Sequence, residues 1–155
     1  MLVHNIKPIY NENSKVLILG SFPSPKSREV GMYYGNPQNR MWKVLAKVFD
    51  EEVPEDKVTF LYKHHIAMWD VLASCEIKGA ADNTITKEVP NDIGIVLNKA
   101  DIKLIVTAGN KATQLYKKYN NYDIEHISLP STSPANAAWS FENLVNAYSA
   151  IKTNI

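Results

Sequence analysis

The 155-residue chain has one cysteine, Cys75. A single thiol excludes an intramolecular disulfide and any cysteine-ligated cluster or zinc knuckle, leaving the role of a small buried hydrophobe. No apolar run approaches the length of a membrane span, and the start, MLVHNIKPIY, lacks the basic-then-apolar layout of a signal peptide. No membrane partner and a cytoplasmic location are therefore expected. A formal net charge of +1 carries no global signal for a polyanionic partner. Internal repeats, low-complexity tracts and linkers are also missing. What remains is ordinary: 45% hydrophobic and 21% charged residues, enough for one domain with a sizeable core over residues 1–155.

Charge is uneven along the chain. Between Lys26 and Lys47 five basic residues (Lys26, Arg28, Arg40, Lys43, Lys47) face one acid, Glu29. A solvated helix face and a phosphate-binding patch both fit that pattern.

Strand-like and helix-like segments alternate. KVLILG (15–20), IAMWDVL (66–72), IKLIVTAG (102–109) and IEHISLP (124–130) are short, β-branched and bounded by turn residues. Helical spacing marks 39–49, with Met41, Trp42, Leu45, Val48 and Phe49 on one stripe. Further helices are expected from Pro54 to about His64, over 91–100 with Asn91 and Asp92 at its start, over 110–119, and from a Ser140 cap to about Lys152. This alternation predicts a parallel sheet covered on both faces. Ligands of such sheets bind beyond the carboxyl ends of the strands, so GSFPSPKS, DVLASC, TAGNK and LPSTSPANA should converge on one rim.

GSFPSPKS (20–27) comes within one residue of a phosphate-binding loop, with Gly20, Lys26 and Ser27 in place but Pro25 where the second glycine belongs. Pro23 and Pro25 each remove an N–H that a cradle would use. The next helix is expected only near Asn39, about a dozen residues on. A nucleoside triphosphate site is rejected.

Taken with its continuation, GSFPSPKSREVGMYYGNPQNRMWKVL (20–45), the loop resembles the first motif of the uracil-DNA glycosylase superfamily: a Gly-x-x-Pro turn, an aromatic pair, then a Pro-x-Asn-x-aromatic-Trp helix start. YYGNPQNRMW (33–42) together with LPSTSPANA (129–137) is most similar to the hypoxanthine-DNA (deoxyinosine) glycosylase branch. A related Pro-x-Asn-Arg-aromatic-Trp stretch also occurs in the mismatch-specific uracil branch. The resemblance extends through 66–76, 91–93 and 109–112. It implies an α/β three-layer sandwich with a central four-stranded parallel sheet and helices on both faces. It also implies a monomer without cofactor or metal that flips a deaminated base out of DNA. Two departures stand out. Phe22 occupies the place of the Asp or Asn that handles the attacking water in efficient uracil-removing relatives, and Leu129 the place of a His that hydrogen-bonds the leaving base.

By that resemblance Asn39 is the catalytic residue. An amide is no general base, but its oxygen can orient water and its NH₂ can donate to the base; its type and place equally fit a cap on the helix beginning at Arg40. Phe22, with Tyr34 or Tyr33 beside it, is the candidate stacking surface, unless these rings only pack the loop onto the core. Asp70 stands about where relatives place a base-reading Asn and could accept the N1–H of hypoxanthine, cap a turn or pair with a lysine. Ser24, Lys26, Arg28, Arg40, Ser131, Thr132, Ser133 and Asn136 are the candidate DNA contacts, against the plain reading of 129–137 as a solvated connector. His64 and His65 lack partners at ligand spacing, and a helix-terminal cation is expected there. Rival readings are a uracil or G:U/G:T mismatch glycosylase, a catalytically silent nucleic-acid-binding member of the fold and, more remotely, a nucleoside hydrolase.

Overall fold

The computed structural model describes residues 1–155. Its first half contains β1 (Leu2–Val3), β2 (Val16–Gly20), α1 (Pro25–Val30), α2 (Met41–Val48), α3 (Lys57–Lys63), β3 (Ile66–Asp70) and β4 (Leu72–Lys78). The second half adds β5 (Ala81–Pro90), α4 (Gly94–Leu97), β6 (Leu104–Ala108), α5 (Asn110–Tyr119), β7 (Glu125–Leu129) and α6 (Phe141–Lys152).

The four segments read as strands form one parallel sheet in the order β3-β2-β6-β7. Val16 to Leu19 of β2 and Ile66 to Met68 of β3 are completely buried. Strands apolar at every position, rather than alternating, are those covered on both faces, and burial of each such Leu or Ile contributes about 1.5–3 kcal/mol. Helices supply the cover: α2 packs on α6, α3 on β3 and α5 on β6. The outer edge of β3 is closed by the N-terminal segment, where Ile9 and Met68 exchange two backbone hydrogen bonds of 2.9 Å. Cys75 is buried on β4, as its lone occurrence implied.

A second sheet, β1-β4-β5, antiparallel throughout, lies outside the alternation read from the sequence. DVLASC is therefore not a simple connector, because β4 begins at Leu72. Most of β5 is exposed, with Ile85 its one buried residue. Its pairing with β4 is broken by register shifts, so no period-2 pattern marks it.

Three helix boundaries also differ. A helix starts directly after the Gly-x-x-Pro turn: Ser24 caps α1 by accepting from the Ser27 N–H at 3.2 Å, and Pro25 takes the first position, where no N–H is needed. The expected dozen-residue gap is thus wrong, although this six-residue helix spends its Ser27 N–H on its own cap. Helix α3 begins at Lys57 with Asp56 as cap, leaving Pro54 outside. The 91–100 helix shrinks to α4. Asn91 is not its cap; the side-chain amide instead donates to the carbonyls of Asp70 (2.9 Å) and Leu72 (3.0 Å).

Candidate active site

Strand β2 lies between β3 and β6, so the order of strands reverses beside it, the place where open α/β sheets bind ligands. A cavity of about 420 Å³ opens there. It is lined by Gly20–Ser24 beyond β2, Asp70 of β3, Ala108 of β6 and Ser131–Ala135 beyond β7, so the four expected segments do share one rim. Asn39, Tyr33 and Tyr34 complete one wall. A wider cleft of about 890 Å³ on the far side of that wall shares only Tyr34, Asn36 and Asn39 with it and reaches none of the strand ends.

Asn39 faces the second motif directly. Its Oδ1 accepts from the Thr132 hydroxyl at 2.8 Å and from the Met41 N–H at 2.9 Å. The helix starts at Met41 with Arg40 in the cap position and no side-chain cap, so Asn39 is not the cap expected of it. It closes a tight turn onto the Met41 N–H one residue earlier and faces the cavity as well. Both lone pairs of that oxygen are taken, so it is not the oxygen that orients water. The Nδ2 group makes no hydrogen bond within the chain and is left to donate.

Asp70 forms the floor. Its Oδ2 is 2.8 Å from His4 Nε2, in a pair only 3% and 5% exposed. Because His4 Nδ1 accepts from the Ile6 N–H, the hydrogen on Nε2 is the one that points at Asp70. Neither turn-capping nor a lysine partner describes Asp70. Gly20 is required beneath it: a Cβ there would collide with Asp70 Oδ1 and crowd Tyr34 Oη. Tyr34 Oη is buried without a hydrogen-bond partner. Burial first, then the nearby Asp70 carboxylate, pushes its pKa well above the usual phenol value, so it stays a neutral donor. Tyr34 also adopts φ 54, a conformation costly for an aromatic residue.

Phe22 belongs to the core and lines the cavity at once, edge-on to His4 at 5.8 Å. Tyr33 is a packing residue, because its hydroxyl donates to the carbonyls of Ile6 and Lys7.

The expected DNA contacts divide. Ser24, Ser131, Thr132 and Ser133 line the cavity. Lys26, Arg28, Arg40 and Asn136 do not. Lys26 is half-exposed and 3.6 Å from Glu29, and Arg28 donates to Pro23 O and lies over the Phe22 ring. Arg40, expected at phosphate, is engaged within the chain: its guanidinium donates to the carbonyls of Trp139 (2.6 Å), Asn136 (3.1 Å) and Ser133 (3.3 Å), clamping the 133–139 turn. Asn136 is likewise engaged internally, donating to Ser131 O at 2.9 Å. His64 ends α3 as expected, its Nε2 facing Glu51. No three His, Cys, Asp or Glu side chains converge to hold a metal.

Sequence reasoning missed His4, Asn91 and Asp82. His4 is distant in the chain, and Asn91 looked like a helix cap. Asp82 arrives on the unforeseen β4–β5 hairpin and accepts from Ser21 Oγ at 2.8 Å on the cavity rim. Only the polar turn KGAADNT hinted at it.

The family model described as the uracil DNA glycosylase superfamily matches residues 7–152. The chain belongs to that superfamily. It is 32% identical over 145 residues to a hypoxanthine DNA glycosylase from Methanosarcina acetivorans, covering 90% of this chain and 92% of the relative. A second relative of that description, from Methanosarcina barkeri, is 30% identical and covers 83% and 85%. A solution NMR structure from M. acetivorans, described as a candidate uracil DNA glycosylase, superposes with a TM-score of 0.81 at 28% identity. That match covers 97% of this chain and 99% of the other. The chain is a DNA glycosylase, DNA is its substrate, and its parallel-sheet sandwich is the family's. No helix is long and apolar enough to cross a membrane.

Proposed function

We propose that this glycosylase removes hypoxanthine from deoxyinosine in DNA, by base flipping and hydrolysis of the N-glycosidic bond, as a first step of base excision repair. The observation that carries the reading is the Asp70 floor. With Oδ2 held by the His4 N–H, the carboxylate presents Oδ1 over Gly20 as an acceptor. Hypoxanthine offers N1–H there. Adenine offers an acceptor, N1, and would leave two lone pairs facing each other in a buried site. The unpartnered Tyr34 hydroxyl supplies a donor for the adjacent C6 carbonyl. The names of the two Methanosarcina relatives support the same substrate.

Phe22 stacks on the extruded base, and Asn39 Nδ2 donates to it as negative charge develops on the ring. Catalysis then rests on positioning and electrostatic stabilisation of an oxocarbenium-like sugar and a leaving base. Ser24, Ser131 and Ser133 face the flanking phosphates, with Lys26 and Arg28 nearby as cations. No lysine lines the cavity, so a Schiff-base intermediate and strand cleavage are not expected, and the enzyme is monofunctional and acts as a monomer. Uracil carries the same N–H beside a carbonyl and is the second reading, favoured by the description of the NMR structure.

Duplexes carrying inosine, uracil, xanthine or adenine at one position decide between them. Release of hypoxanthine well ahead of uracil is expected, with Asn39→Ala abolishing it. Release of uracil alone would overturn the hypoxanthine assignment.

A further inference from the structure

Hydrolysis needs a group that accepts a proton from the attacking water. By the resemblance, the place of that group is taken here by Phe22, which has no acceptor. Asn39 Oδ1 is filled by Thr132 and Met41. Among the cavity-lining residues only two carboxylates remain, Asp70 and Asp82. Asp70 is tied to His4.

We propose that Asp82, delivered by the β4–β5 hairpin, is the catalytic base that orients and deprotonates the attacking water. Its Oδ1 accepts from Ser21 Oγ at 2.8 Å, which fixes the carboxylate and leaves Oδ2 free. The residue also borders an adjoining cleft of about 790 Å³ behind Ser131, Ser133 and Asn136, so solvent reaches it without crossing the base pocket. Ser21 immediately precedes Phe22, which brings the missing function back beside the position that lost it.

Electrostatics favour the role. Desolvation at the rim raises the Asp82 pKa above the ordinary 3.8; the Ser21 hydrogen bond opposes this, Asp70 adds to it and Lys111 of α5 opposes it. A carboxylate shifted in that direction is a better proton acceptor than an unperturbed one. In the step, one O–H bond of water breaks and its proton passes to Asp82 Oδ2 while the oxygen bonds to C1′. The glycosidic bond from C1′ to the base nitrogen (N9 of hypoxanthine, N1 of uracil) breaks with its electron pair leaving on the base. Asp82 then returns the proton to the departed base, regenerating the carboxylate.

This inference rests on the glycosylase reading but not on which lesion is cut. The test is single-turnover excision from an inosine duplex, and from a uracil duplex in parallel, between about pH 5 and pH 9. Asp82→Asn keeps the acceptor for Ser21 and removes the base. It should be ~10²-fold slower on the lesion the wild type releases, bind the duplex normally, and lose the rise of rate with pH that the wild type shows on its acid side. Asp82→Glu should recover part of the rate, and Ser21→Ala, which frees the carboxylate to turn, should lose rate while keeping the wild-type rise with pH. An Asp82→Asn enzyme with wild-type rate and pH profile overturns the proposal. So does an Asp82→Asn enzyme whose loss of rate is matched by loss of duplex binding or of thermal stability, which would reduce the carboxylate to holding the hairpin. A wild type that prefers uracil, with Asp82→Asn still impaired, overturns only the hypoxanthine assignment.

Discussion

The hydroxyl of Thr132 donates to the side-chain oxygen of Asn39 across 2.8 Å, joining two motifs 93 residues apart. The Arg40 N–H donates to Thr132 O at 3.1 Å beside it, so the junction is a two-point tie. Thr132→Val keeps the shape, removes the donor, and should cost about 0.5–1.5 kcal/mol of stability. Excision should fall ~10-fold, because a drifting amide loses directed donation; Thr132→Ser should behave as wild type. Asn39→Asp separates anchoring from catalysis. Asp accepts from the same two donors, Met41 N–H and Thr132 Oγ1, but it has no NH₂. The melting temperature should hold while excision is lost, and an active Asn39→Asp enzyme would leave Asn39 an anchor and nothing more.

Tyr34→Phe tests the reading of the base edge. A buried hydroxyl without a partner contributes nothing to the fold, so its removal should leave thermal stability unchanged or raise it by up to about 1 kcal/mol. If the hydroxyl donates to the C6 carbonyl, kcat/KM for inosine should drop ~10-fold, the worth of one hydrogen bond. A variant with unaltered kinetics would remove Tyr34 from the pocket's chemistry.

The four parallel strands were legible because burial on both faces leaves continuous apolar runs such as Val16–Leu19. Asn39 and the 129–137 stretch were singled out by the resemblance, not by periodicity, and their contact through Thr132 came only with the structure. The β4–β5 hairpin was invisible because pairing and bulges hold it, not an alternating apolar face, and Asp82 was hidden with it. Helix α1 was missed because Pro25 was weighed as a lost N–H rather than as a first-position residue. Arg40 was assigned to phosphate from its charge, since three carbonyls brought together by a distant turn leave no trace in local sequence.

His126 gives the fold a predictable pH response. Its Nε2 lies 2.8 Å from Thr107 Oγ1 and its ring 4.6 Å from that of Tyr116. Burial first, then Lys117, lowers its pKa below the ordinary 6.5. The unfolded chain therefore takes up a proton before the folded one does, and stability falls as pH drops from about 6.5 towards the lowered folded value. Melting temperatures across that range should decline on the acid side, and His126→Gln should flatten that portion of the curve. A curve unchanged by the substitution would place the titration elsewhere.

Arg40 is a charge that the fold holds against three carbonyls. A residue that contacts phosphate and one that clamps a loop predict different salt behaviour. Loss of a phosphate contact lowers the slope of log binding constant against log salt by about 0.9, with modest loss of affinity. Loss of the clamp frees the carbonyls of Ser133, Asn136 and Trp139 and loosens the turn that follows Thr132. Arg40→Lys is the informative change, because a lysine keeps the charge but cannot span three carbonyls with a rigid fork. The clamp predicts faster amide exchange across 133–139, slower excision and an unaltered salt slope for both Arg40→Lys and Arg40→Ala. A phosphate contact predicts that Arg40→Lys stays near wild type while Arg40→Ala loses slope, and that outcome would return Arg40 to the DNA-binding surface.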